Sequence, residues 1–90
     1  MAKAIVDPNE LRRFAADLKK FNGDVQGQMA RLAASLGSLQ QTWRDQEQAK
    51  FAEEFEQTMR SLQRFLKVSE EFVPFLARKA ERIEDYLNQR

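Results

Sequence analysis

Among its 90 residues the chain has no cysteine and no histidine. Without cysteine there are no disulfides and no thiol chemistry, and the redox compartment cannot be inferred. Losing histidine as well removes zinc sites, Ser-His-Asp and Cys-His arrangements, and the Glu-x-x-His pairs of di-iron bundles. No metal and no cofactor are therefore expected. No run of about 18 apolar residues exists, so no segment reads as a membrane span. Charge of one sign is lacking too. Lysine and arginine number 15 against 14 aspartates and glutamates, and neither half is a basic tail, which argues against a nucleic-acid footprint. The polar faces carry mixed charge rather than the lysine- and arginine-rich face of a membrane-surface helix. The apolar part of Met1–Pro8 is too short for a secretory signal peptide, so any export is expected to follow another route.

What is present is periodic. Asp7-Pro8-Asn9-Glu10 sets an N-cap carboxylate before a proline at the first helical position, with Glu10 as a capping-box partner. From there Leu11, Leu18, Val25, Leu32 and Leu39 recur every seven residues. A second row runs beside them as Phe14 and Phe21, then, one heptad position later, as Met29, Leu36 and Trp43. This is a heptad seam, the mark of a helix packed lengthwise on another helix. Lys19-Lys20-Phe21-Asn22-Gly23-Asp24 reads locally as a helix end followed by a new cap. The leucine phase crosses it without a reset, so one continuous helix is expected.

The second half repeats the pattern. Ala52, Met59, Leu66, Val73, Ala80 and Leu87 fall seven apart beside Phe55, Leu62, Leu76 and Ile83, with Ser69 interrupting the second row. Pro74 removes a backbone donor inside this run, and the pattern continues beyond it, which predicts a kink rather than an end. The reading is a single all-α domain over residues 1–90, an antiparallel two-helix hairpin. Helix 1 is expected at about 8–40, a turn at about 41–46 and helix 2 at about 47–88.

A hairpin alone leaves apolar surface unused. Opposite the leucine rows lie Ala16, Gly23, Ala30 and Gly37, with Gly27 and Ala34 beside them. Glycine within a helix costs roughly 1 kcal/mol relative to alanine, and a stripe of small residues lets another backbone come close. On the second helix Phe65, Val68, Phe72, Phe75 and Tyr86 flank the seam. Such a contiguous apolar patch marks an interface. Ala16, Gly23, Gly27, Ala30, Ala34, Gly37, Phe65, Phe72 and Phe75 are therefore read as a dimer interface that joins two hairpins into a four-helix bundle. The partner is either a copy of the chain or a similar hairpin.

The carboxylates of the second helix alternate with Arg60, Arg64, Lys67, Arg78, Lys79 and Arg82, as on a solvated face. The glycines form no phosphate-cradling loop. No enzyme activity is expected. Trp43, Arg44 and Asp45, at the junction of the helices, form a compact epitope suited to protein recognition.

At this tip the chain resembles the Trp-x-Gly family, helical hairpins exported by type VII (early secreted antigen-type) secretion systems without a cleaved signal peptide. The resemblance rests on the Ile5-Val6-Asp7-Pro8 lead-in with Glu10 and Leu11, the leucine-phased first helix, Leu39-x-x-x-Trp43, Ala49-x-Phe51 and the second amphipathic helix. It implies a secreted substrate or the escort of one, recognised by a secretion-system ATPase. Two positions depart from the family pattern. Asp45 replaces the glycine of the turn, and aspartate tolerates the left-handed conformation such a turn would use. Tyr86, the possible export signal, is followed four places on by Arg90 where the family has an acidic residue. A cytoplasmic chaperone or adaptor hairpin that sheathes a partner's amphipathic helix is the alternative.

Overall fold

The computed structural model describes residues 6–89. Two helices, α1 (Pro8–Leu39) and α2 (Gln46–Asn88), run antiparallel as a hairpin. Its extents are 70 × 22 × 17 Å and its radius of gyration is 20.3 Å. A compact domain of this length would measure roughly 12 Å. The hairpin is therefore a rod, and a rod of two helices has little interior.

Local chemistry sets the ends. Asp7 caps α1 by accepting the Asn9 N–H at 2.9 Å, with Pro8 in the first turn, where its missing donor costs nothing. At the far end Gln40 N–H reaches the Leu36 carbonyl and Trp43 N–H the Leu39 carbonyl, both at 2.9 Å, and these bonds close the turn. Asp45 then caps α2, its side chain accepting from Gln48 N–H at 2.9 Å. Its backbone is extended (φ −93°, ψ −175°), and no described residue has positive φ. Asp45 thus makes no use of the left-handed conformation that aspartate tolerates. It replaces the family glycine as a stronger N-cap, since its carboxylate satisfies an orphan donor that glycine would leave to water.

Both helices pass their suspected breaks. α1 is continuous through Gly23, and α2 continues through Pro74.

The seam differs from the expected one in α1. Phe14 and Phe21 are not in it. Extending the Met29–Leu36–Trp43 row backward by sevens gives Asn22, Ala15 and Pro8, and all three are buried. Facing them, Leu66, Ser69 and Ala80 are buried on α2. Ala15, Asn22, Ser69 and Ala80 fill the seam beside Leu66, and the large rings lie on the flank. One polar pair lies in this seam, with Ser69 Oγ donating to Asn22 Oδ1 at 2.6 Å.

Polar contacts tie one side of the hairpin. Gln26 Nε2 donates to Glu70 Oε2 at 2.6 Å, and Arg12 Nη2 donates to Glu84 Oε1 at 2.7 Å. The hydrogen bond from Arg12, and then its charge, hold Glu84 below the ordinary carboxylate value of 4.5, against a smaller opposing effect of burial. The sign of the linkage follows. A depressed carboxylate stabilises the fold above its unfolded pKa, and that contribution disappears as pH falls through the folded value. Glu84→Gln is thus expected to melt slightly below the parent at neutral pH. The gap should close as the solution is acidified from pH 4.5 downward. Thermal melts followed by circular dichroism at neutral pH and at about pH 3 check this.

Candidate functional site: the aromatic face and the hairpin tip

Phe14 and Phe21 stand one residue before the seam positions Ala15 and Asn22. Phe65 and Phe72 stand one residue before Leu66 and Val73. In this antiparallel pair the two flanks fall on the same side, where the Phe21 and Phe65 rings meet edge to face at 6.5 Å. Val68 and Phe75 extend the surface outward. Each of these six side chains is 48–57% exposed. Phe14, Leu18, Phe65, Val68, Phe72, Phe75 and Leu76 line a groove whose single polar lining residue is Ser69. Ser69 itself is satisfied within the seam. The hairpin therefore has one polar side, held by the Arg12–Glu84 and Gln26–Glu70 contacts, and one apolar side that touches solvent.

The nine residues assigned from sequence to one interface do not share a surface. Phe65, Phe72 and Phe75 lie on the aromatic face. Ala16, Gly23, Ala30 and Gly37 follow the seam row by one residue where Phe14 and Phe21 precede it, so they sit on the opposite side of α1. Gly27 and Ala34 lie farther round still. One docked hairpin cannot cover both sets. Phe14 and Phe21 belong to this face and not to the seam row in which their spacing sets them. The eight-residue step from Phe21 to Met29, in a row otherwise spaced by seven, was the signal that they belong to a different stripe.

A Cβ added at Gly23, Gly27 or Gly37 meets nothing within 4 Å. Gly27→Ala is accordingly expected to raise stability by roughly 1 kcal/mol through helix propensity. A fall in melting temperature together with loss of self-association would instead put this stripe in a contact.

At the tip, Trp43 is half-buried. Its ring packs on Phe51 with centroids 5.7 Å apart, and Phe51 stacks on Phe55 at 6.0 Å. This aromatic run closes the end of the hairpin. Arg44 and Asp45 are exposed beside it, and Arg44 Nε donates to the Gln40 carbonyl at 3.4 Å. Tyr86 lies at the opposite end of the rod, 63% exposed in the last turns of α2. Ile5 and Arg90, on which the lead-in motif and the altered export motif depend, lie outside the described residues.

Among the described residues no group of three or more aspartates and glutamates gathers as a metal site requires. No described helix is long and apolar enough to cross a membrane.

The chain is similar to solved structures of the secreted protein EsxB from Bacillus anthracis str. Sterne. A selenomethionine-labelled crystal structure matches at 33% identity and TM-score 0.79, covering 98% of this chain and 100% of that one. A single-substitution mutant matches at 31% identity and TM-score 0.85, covering 96% and 100%. The wild type in another crystal form matches at 33% identity and TM-score 0.78, covering 93% and 97%. No curated protein sequence matches the chain. The WXG100 family model, described as proteins of 100 residues with WXG, matches residues 4–88, and the chain belongs to that family.

Proposed function

We propose that the chain is a substrate of a type VII secretion system, or the escort of one, and that it works as a pair of hairpins joined through the aromatic face. The observation that carries the pairing is the mismatch between what this hairpin buries and what it exposes. Among the described residues Leu66 is the one large apolar side chain that is buried, whereas Phe14, Phe21, Phe65, Val68, Phe72 and Phe75 are about half in water. The accessible surface is 7388 Å². A compact monomer of 10.5 kDa would expose roughly 5,400 Å². The excess, about 2,000 Å² on one chain, is more than the roughly 800 Å² a standard interface removes from each partner and falls in the range of obligate dimers. An antiparallel mate laid on the apolar side would complete a four-helix bundle whose core is the present aromatic face.

Family membership and similarity to a secreted protein support the export reading. In it the work is recognition, first between hairpins and then between the tip residues Trp43, Arg44 and Asp45 and the export machinery. The direct test has two measurements. Light scattering at micromolar concentration should give twice the chain mass, and a tagged copy expressed beside a type VII system should reach the medium only while its ATPase is intact. A stably folded monomer would overturn the pairing. Retention inside cells, with the pair intact, would overturn export alone.

A further inference from the structure

Asn22-Gly23 is the one Asn-Gly dipeptide of the chain; the other asparagines, Asn9 and Asn88, precede Glu10 and Gln89. This pairing of residues has its own chemistry. With no Cβ on glycine to shield it, the backbone nitrogen of Gly23 can attack Cγ of Asn22. A new C–N bond forms, the Cγ–Nδ2 bond breaks, and Nδ2 takes up the proton lost by the Gly23 nitrogen and leaves as ammonia, giving a cyclic imide. Water then opens the imide at either carbonyl, to aspartate or to isoaspartate. The reaction needs water and nothing else, and it does not run backward.

The hairpin withholds the geometry that this attack requires. In α1 the Gly23 N–H is committed to the Lys19 carbonyl, and the Asn22 side chain tilts toward the helix N-terminus, away from the attacking nitrogen. Asn22 is 4% exposed and accepts from Ser69 Oγ at 2.6 Å. That hydrogen bond polarises the Asn22 carbonyl, so the protection is conformational rather than electronic. Nδ2, the leaving group, is buried without a hydrogen-bond partner.

We infer that Asn22-Gly23 is a spontaneous deamidation site gated by the hairpin, closed while α1 and α2 are packed and open when they part. The products do not fit the seam. Isoaspartate lengthens the main chain by one carbon in mid-helix and interrupts the α1 hydrogen-bond ladder. Aspartate puts a carboxylate at a buried position with Ser69 as its neighbour. Deamidation thus records hairpin opening irreversibly and keeps the altered chain from repacking.

Peptide mapping by mass spectrometry tests this on the full chain, folded in buffer and unfolded in urea at the same pH. The mass gain of NH2 replaced by OH is expected at Asn22, at least about tenfold faster in the unfolded chain, with Asn9 and Asn88 slower in both. Gly23→Ala, which has open space for its Cβ, should suppress the unfolded-state reaction. Leu66→Ala, which loosens the seam, should speed the folded-state reaction. The modified chain, returned to buffer, should fail to regain the parent's melting temperature. Equal rates in the folded and unfolded chain, or a modified chain that refolds to the parent's stability, would overturn the gate.

Discussion

Under the proposed pairing, Phe72→Asp is expected to leave a monomer and to lower the melting temperature with it. In a single hairpin the Phe72 ring is already half in water, so an aspartate there costs the isolated chain little. In a pair the same site is covered. Losing the ring from the interface removes roughly 2 kcal/mol of apolar burial per copy, before the cost of drying an unpaired carboxylate. In a self-pair the loss occurs twice. About 4 kcal/mol is roughly a thousandfold in the dissociation constant, enough to dissociate a pair at micromolar concentration. Because, among the described residues, Leu66 is the one large apolar side chain buried in the seam, the released monomer should be weakly folded, and dissociation and melting should move together. Phe72→Leu keeps apolar volume and should stay paired. Light scattering and circular dichroism melts on both variants settle the matter, and a Phe72→Asp chain that remains dimeric would move the interface elsewhere.

The two-helix architecture was legible because the heptad repeat persists for the whole of each helix, and in-phase repetition across Gly23 and Pro74 outweighed local stop signals. The identity of the seam was less legible. Hydropathy favours Phe14 and Phe21 over Ala15 and Asn22, but helices that pack closely select small side chains at the contact, and hydropathy does not register that choice. Asn22 illustrates the limit. Read locally it is the end of a helix, whereas in the fold it is a buried seam residue answering Ser69, the one position that interrupts the second row of α2. Recognising both anomalies as one pair would have needed the register between the helices, which periodicity within each helix does not contain. The small-residue stripe and the aromatic flank failed to merge for a related reason. A helical wheel orders residues around one axis, but the side of the hairpin on which a flank falls depends on how the two axes are laid together.

The tip is where stability and recognition have to be separated, and Asp45 makes the obvious experiment ambiguous. Its carboxylate holds the Gln48 N–H, so Asp45→Ala should cost about 1 kcal/mol through the lost cap, whatever else the residue does. Asparagine caps nearly as well as aspartate but carries no charge. The double variant Arg44→Ala with Asp45→Asn therefore removes both charges while keeping the α2 cap. It gives up only the long 3.4 Å contact from Arg44 to the Gln40 carbonyl. Its melting temperature and oligomeric state are expected to match the parent's, and its appearance in the medium of cells carrying the export system is expected to fall severalfold or more. Trp43→Ala supplies the opposite pattern. The indole is half-buried against Phe51, so its removal should cost on the order of 2 kcal/mol, less than a fully enclosed tryptophan would. Its export should then fall along with its stability. If the charge-free tip is exported like the parent, Arg44 and Asp45 are not read by the machinery. Trp43 would then be only the plug that closes the hairpin end, and recognition would have to lie elsewhere on the rod, with the exposed Tyr86 at its other end the next residue to change.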